Sequence, residues 1–256
     1  MRTPYDFTDQ VVLITGAASG FGELAAQRFA QAGAKLALGD INADAVQAVA
    51  DRIKADGGEV LAMACDVSNN DQVEAFVTAC VKTYGRLDIG INNAGISHPK
   101  KRLHQLDEAN WDQTNGVNQK GVFLCMKYEL TQMVEQGAGV ILNVASAAGL
   151  MGSPFLSLYS SGKHGVIGLT KSAALEYGKM NIRVNAICPA FAKTPLVENS
   201  LKAAGGKSRE NLMAGNPMKR LGEVEEIVQA MLWACSKDNS FMNGAVVPLD
   251  GGLAAS

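Results

Sequence analysis

Short apolar, β-branched runs alternate with longer stretches of helical period along the whole chain, and this alternation constrains the fold more than any other feature. A strand followed by a helical segment and another strand is a βαβ unit, whose helix carries the chain back so that the two strands lie parallel. The runs at 11–15, 35–39, 59–64, 88–92, 139–144, 182–187 and 245–248 read as strands. Segments 20–31, 43–55, 70–84, 111–135, 158–179 and 224–236 have the length and apolar spacing of crossover helices. Gly33, Gly57, Gly85, Gly137 and Gly178 stand where these helices should stop, positions that favour a residue tolerant of left-handed backbone. The pattern predicts one α/β domain spanning 1–256, its seven-stranded parallel sheet covered on both faces.

Only 190–217 breaks the rhythm, being long for a loop and containing Gly205-Gly206 and a weakly helical stretch, as expected of a substrate loop or lid. Apolar residues at 47% and charged residues at 19%, without like-charge runs, exclude a disordered chain. A net charge of −2 with scattered basic residues argues against nucleic acid and anionic membrane as partners. Residues 1–10 carry acids and a proline, and the first apolar run is too short for a signal-peptide core. The longest apolar stretch, 140–151, is interrupted by Asn143, Ser146 and Gly149, so a soluble, cytoplasmic protein is expected. Cys65, Cys80, Cys125, Cys188 and Cys235 are odd in number and widely spaced, which suggests buried free thiols rather than disulfides; no metal site is expected.

Directly after the first strand, Thr15-Gly16-Ala17-Ala18-Ser19-Gly20-Phe21-Gly22 opens a helix. Glycines at 16, 20 and 22 allow a tight turn, close approach of a pyrophosphate and tight helix packing, while the helix N-terminus offers N–H groups to the anion. With the alternation, this makes the expected fold a single-domain, Rossmann-like, doubly wound parallel sheet. Asp40, at the end of the second strand, can accept hydrogen bonds from both adenosine ribose hydroxyls and repels a 2′-phosphate. Neither the loop nor Ile41-Asn42 supplies an arginine or lysine for such a phosphate, so NAD is the expected cofactor over NADP.

Tyr159 and Lys163, four apart in a helical segment, share one face. A phenol exchanging its proton near neutral pH needs a positive neighbour, which Lys163 can be. Such a pair is common by chance, and other motifs carry the argument. Thr15 to Gly22 resembles the TGxxxGxG loop of the short-chain dehydrogenase/reductase family, Asn92-Asn93-Ala94-Gly95 its NNAG segment and Tyr159 to Lys163 its YxxxK motif. Asn118 occupies the place of the family's helix asparagine, Ser146 that of its serine, and Asp66 resembles the aspartate that meets the adenine amino group. Thr194-Pro195 resembles the nicotinamide-contacting segment and Asp250-Gly251-Gly252 the closing DGG. Pro189 is followed by Ala190, where the family usually has glycine, which bears on the local loop geometry.

The resemblance implies hydride transfer between NAD and a secondary alcohol or its ketone. Tyr159 would be the general acid/base, and Ser146 would hold the substrate oxygen. Lys163 would bind the nicotinamide ribose and lower the phenol pKa, and Asn118 would anchor a water leading to solvent. The implied cofactor contacts are Gly16, Ser19, Gly20, Phe21, Gly22, Asp40, Ile41, Asp66, Val67, Asn93, Ala94, Gly95, Tyr159, Lys163, Pro189, Ala192 and Thr194. It also implies a homotetramer pairing 111–135 and 158–179. Substrate walls are expected from 96–98, 151–156 and the segment from Phe191 onward. Phe155, Leu156, Phe191, Leu196, Val197, Leu212 and Met213 would give an apolar pocket suited to a cyclic or bulky hydrophobic ketone. His164 points away from the reactive face, and Lys100, Lys101, Arg102 and His104 read as a solvated loop in preference to a site that greets an anionic substrate. The alternatives are a non-catalytic NAD-binding subunit, an NADP-dependent ketoreductase, and an epimerase or dehydratase of the family's extended branch.

Overall fold

The computed structural model describes residues 5–203 and 208–255, with the side chains at 200–203, 208, 209, 211 and 212 outside that description. Seven strands, β1 (Val11–Thr15), β2 (Lys35–Asp40), β3 (Val60–Ala64), β4 (Ile89–Asn92), β5 (Gly139–Val144), β6 (Ile182–Pro189) and β7 (Val246–Leu249), form one sheet in the order β3-β2-β1-β4-β5-β6-β7. Every pairing is parallel. The helices are α1 (Gly20–Gln31), α2 (Ala43–Ala55), α3 (Asn70–Tyr84), α4 (Glu108–Asn115), α5 (Val122–Gln136), α6 (Ser157–Tyr177), α7 (Pro195–Ala203), α8 (Ser208–Gly215) and α9 (Val224–Cys235).

Alternation of side chains along each strand divides the interior into two cores. Val12 and Ile14 of β1 join Leu36, Leu38, Ile89 and Ile91 against α1, α2 and α9, where Phe29, Val49 and Met231 are fully or almost fully buried. Val11 and Leu13 face the other way, with Ala37, Ile141 and Val184, onto α3, α5 and α6 through Phe76, Met133 and Val166. Burial on both faces explains why the strands are near-continuous apolar runs. All five cysteines are free and lie in these interiors.

The strand boundaries follow the sequence expectation closely, except that β6 runs on to Pro189 because Cys188 and Pro189 pair with Pro248 and Leu249. The expected helix at 111–135 is corrected. Asp107 caps an earlier start, accepting from the Asn110 N–H at 2.8 Å, and a π-helical turn over Gly116–Gly121 separates α4 from α5. Gly178 is not a left-handed stop either; it begins a 3-10 turn, and Asn181 (φ 60°) takes the left-handed position. The segment 190–217 holds the helices α7 and α8 rather than an open loop, and Gly205-Gly206 lies outside the described residues.

The chain steps from β1 outward to β3, then returns across β1 to β4 and continues to β7. This reversal opens a crevice between the C-terminal ends of β1 and β4, the place where ligands bind in open α/β sheets. Among the described residues no helix is long and apolar enough to cross a membrane.

Candidate active site

The crevice widens into a cavity of about 540 Å³ that runs along the C-terminal ends of the strands. Its floor at β1 is the glycine loop. Gly16 has φ +64°, and a methyl group there would sit 2.8 Å from the Ala94 Cα, so only glycine fits. A methyl at Gly22 would lie 2.1 Å from the Gly16 carbonyl oxygen; this glycine does not line the cavity but lets α1 pack onto the loop. Asn93, just beyond β4, stitches the loop in place, donating from Nδ2 to the carbonyls of Thr15 (2.9 Å) and Gly16 (3.0 Å). No side chain caps the start of α1 at Ser19, so the first-turn N–H groups face the crevice without such a partner.

Asp40 lines the cavity at the end of β2, and both of its oxygens also brace the backbone. Oδ2 accepts from the Ala18 N–H at 3.0 Å and Oδ1 from the Asn42 N–H at 2.9 Å. Asp66, beyond β3, lines the same end and holds Ser68 through its N–H (2.9 Å) and hydroxyl (2.7 Å). A glycine cradle, a helix N-terminus and a carboxylate at the end of β2 in one crevice fit a dinucleotide.

At the other end, β5 delivers Ser146 and α6 delivers Tyr159 and Lys163 to the cavity wall. The Ser146 Oγ accepts from the Ala148 N–H (3.2 Å) and points to the Pro189 carbonyl (3.4 Å). Burial pushes the Tyr159 phenol above its ordinary pKa, and a hydrogen bond with Ser146 pulls the other way. Lys163 is only 3% exposed; burial lowers its ammonium to about 8, and Nζ donates to the Val144 carbonyl at 2.7 Å. Its Nζ lies 5.8 Å from the Tyr159 ring centre. Together these groups can hold a carbonyl or hydroxyl oxygen and pass a proton to or from it.

Asn118 stands behind this wall, fully buried in the π-helical turn. Its Oδ1 accepts from the Ile96 N–H and its Nδ2 donates to the Ile96 carbonyl, both at 2.8 Å, so the side chain clamps the loop that follows Gly95. Deeper still, Asn92 Nδ2 donates to Glu129 Oε2 and to Asn143 Oδ1, each at 3.0 Å, and Asn143 Nδ2 donates to Thr170 Oγ1 at 2.9 Å. Asn143 therefore braces the end of β5. Burial raises the Glu129 carboxyl to about 7.

Every other expected cofactor contact, namely Ser19, Gly20, Phe21, Ile41, Val67, Ala94, Gly95, Pro189, Ala192 and Thr194, lines the cavity together with Gly16, Asp40, Asp66, Asn93, Tyr159 and Lys163. Ala190 also lines it without left-handed backbone, so the missing glycine leaves the turn intact. Of the substrate walls, Ile96, Ser97, Met151, Leu156, Phe191, Leu196 and Val197 are in place. His98 is not; it is buried with Nδ1 against the Pro99 carbonyl. Phe155 is not either, because its left-handed backbone (φ 65°) leaves the ring 52% exposed outside the cavity. Met213 does not reach the wall, and the Leu212 side chain lies outside the described residues. His164 is exposed on α6, where Nδ1 donates to the Ser160 carbonyl, away from the site. Val117, Leu253 and Lys100 were not anticipated in the wall. Lys101, Arg102 and His104 do remain outside it as the solvated-loop reading requires.

The comparisons with known proteins agree with this geometry. A family model described as enoyl-(acyl carrier protein) reductase matches residues 16–254. The chain is 43% identical over 256 residues to levodione reductase of Leifsonia aquatica, covering 98% of this chain and 96% of that one. It is 38% identical to cyclohexanol dehydrogenase of an Acinetobacter species, over 96% and 95% of the two chains. The crystal structure of levodione reductase superposes with a TM-score of 0.95 at 42% identity, covering 98% of this chain and 99% of that one. This chain therefore belongs to the short-chain dehydrogenase/reductase family, whose members bind nicotinamide cofactors, and is an oxidoreductase of secondary alcohols and ketones.

Proposed function

We propose that the chain interconverts a cyclic or bulky hydrophobic secondary alcohol and its ketone with NAD, using Tyr159 as general acid/base. The observation that carries this reading is the single cavity joining Asp40 at one end to Ser146, Tyr159 and Lys163 at the other. In the reduction direction Tyr159 gives its proton to the carbonyl oxygen while Ser146 holds that oxygen as charge develops. Lys163 keeps a positive charge beside the phenol and favours its ionised form in the reverse direction. Asn118 fixes the Ile96 backbone and with it the wall beside Gly95. When bound, the nicotinamide supplies or takes up the hydride.

The NAD preference rests on Asp40, since Lys100 and Lys163, the cationic side chains of the wall among the described residues, stand at the opposite end. A hydrophobic substrate is supported by Met151, Leu156, Phe191 and Leu196 around Tyr159, and by relatives named for levodione and cyclohexanol. We also propose the expected homotetramer, for which Trp111, Phe123 and Leu175 (88% exposed) on α4, α5 and α6 offer apolar contact. Absorbance at 340 nm with cyclic alcohols, linear alcohols and polyols, using NAD and NADP in turn, tests the reading. Tyr159→Phe should retain NAD affinity while turnover falls by at least about 10². Undiminished turnover in that variant, or a polyol equal to cyclohexanol in kcat/KM, overturns it.

A further inference from the structure

The cavity is electrically polar. Asp40 and Asp66 line the end over β2 and β3, whereas the end that holds Ser146 and Tyr159 is lined, among the described residues, by the ammonium groups of Lys163 and Lys100 and by no carboxylate. Lys163 is buried and engaged with the Val144 carbonyl. Lys100 is different: it is exposed at the mouth, and among the described residues it makes no hydrogen bond or ion pair. Its loop is not loosely tethered, since Asn118 holds Ile96 through two bonds of 2.8 Å and His98 is buried against the Pro99 carbonyl. Of the basic residues in this loop, Lys100 alone is directed to the wall; Lys101, Arg102 and His104 are not part of it. The same cavity is lined by the apolar side chains of Met151, Pro154, Leu156, Phe191 and Leu196.

An apolar chamber with one unpartnered cation at its rim suits a molecule with a hydrophobic body and one anionic end. We propose that the substrate is a cyclic ketone or alcohol bearing a carboxylate, and that Lys100 binds this carboxylate while Ser146 and Tyr159 hold the reacting oxygen. The carboxylate is a spectator: hydride goes to the carbonyl carbon, the Tyr159 proton goes to the carbonyl oxygen, and the ring acid is unchanged. The inference rests on the ketone-reducing reading above and adds the charge of the substrate and the residue that selects it.

The test compares 4-oxocyclohexanecarboxylate with its methyl ester, each with NADH, in the wild type, Lys100→Gln and Lys100→Arg. The wild type should favour the acid in kcat/KM by about tenfold or more, the gain expected from one charged hydrogen bond at a partly desolvated site. Lys100→Gln should lose this preference through KM for the acid, leave the ester within about twofold and leave NADH affinity unchanged; Lys100→Arg should restore most of it. A wild type that prefers the ester, or an acid-to-ester ratio that Lys100→Gln does not move, overturns the proposal. Turnover of the ester alone upholds ketone reduction while removing the role of Lys100, so the two readings fail separately. Should neither ketone be reduced, calorimetric binding of cyclohexanecarboxylate against cyclohexanecarboxamide decides: a carboxylate preference lost in Lys100→Gln supports the site, and equal binding rejects it.

Discussion

Replacing Glu129 by Gln should stabilise this protein at alkaline pH and do so far less near pH 5. Glu129 is fully buried on α5, with a carboxylate oxygen, Oε1, that has no hydrogen-bond partner; Asn92 Oδ1, on the residue that donates to Oε2, is likewise unpartnered. Two orphan acceptors on one bonded pair are reconciled if the carboxyl is protonated, for its O–H can then donate to the amide oxygen while the amide N–H donates back. Burial, the dominant effect, moves the carboxyl from 4.5 to about 7, against a smaller opposing effect of the Asn92 hydrogen bond. Of the titratable groups packed near it, Cys80 of α3 and Cys125 of α5 are buried thiols whose own pKa is raised, so neither supplies a compensating charge. The raised folded-state value means that Glu129 costs nothing below about 4.5, destabilises progressively as pH rises to about 7, and costs a constant amount above that. At about 1.4 kcal/mol per pH unit the full loss is about 3 kcal/mol. A glutamine keeps the acceptor for Asn92 and carries a permanent donor, so it escapes the loss. For a chain of this length 3 kcal/mol corresponds to roughly 6–10 °C in Tm. Differential scanning calorimetry of both proteins at pH 5 and pH 8, at one concentration, reads the difference directly. A Tm gap of equal size at the two pH values, or a glutamine variant less stable at pH 8, would refute the protonated pair.

Asp40→Ala should narrow an NAD preference of at least roughly a hundredfold in kcat/KM without inverting it, since a lost charged bond and removed repulsion act together and no arginine is added. Because Asp40 also accepts from Ala18 and Asn42, the same variant should lower Tm, whereas Asp40→Asn, which keeps one acceptor, should lower it less; an unmoved cofactor ratio argues against the assignment. Gly22→Ala forces a methyl to within 2.1 Å of the Gly16 carbonyl, and relieving it should cost about 1–3 kcal/mol, seen as an NAD Kd raised about tenfold or more by calorimetry; an unchanged Kd would show that the loop yields freely. Light scattering at micromolar concentration should give the mass of four chains, with Leu175→Glu shifting it to smaller species, and a monomeric wild type counts against association.

The sheet and most helices were legible because burial on both faces writes strands as apolar runs such as 11–15 and 139–144, and because left-handed glycines such as Gly85 and Gly137 mark helix ends. The π-helical turn was not legible, since apolar spacing continues through it and the extra residue leaves no periodic trace. All the residues expected around the cofactor except Gly22 share one cavity because the turn sequences that carry them sit at strand ends, where topology alone brings them together. Lys100 and Phe155 exchanged places relative to expectation: which loop side chain meets a cavity depends on backbone direction, and a left-handed phenylalanine turns away while a neighbouring loop's lysine turns in. Glu129 did leave a signal, an acid amid Cys125, Met126, Leu130 and Met133 on the buried face of a helix, where an ionised side chain is costly.

The π-helical turn at Gly116–Gly121 gives one continuous helical rod two phases. Each residue advances an α-helix by about 100°, so the extra residue in a wide turn offsets everything before it against everything after it by about that angle. Upstream, α4 keeps Thr114 and Asn115 inward; downstream, α5 buries Leu124, Cys125, Glu129 and Met133. Deleting Val117 would restore ordinary α-helical bonding and fuse the two phases into one. With α5 held by its core, α4 would then have to rotate, and Asn118 would leave Ile96, freeing the loop beside Gly95. The shortened helix would be locally better bonded and its cavity wall unfastened, so the surplus residue acts as a phase shifter through which helix regularity is exchanged for a fixed crevice.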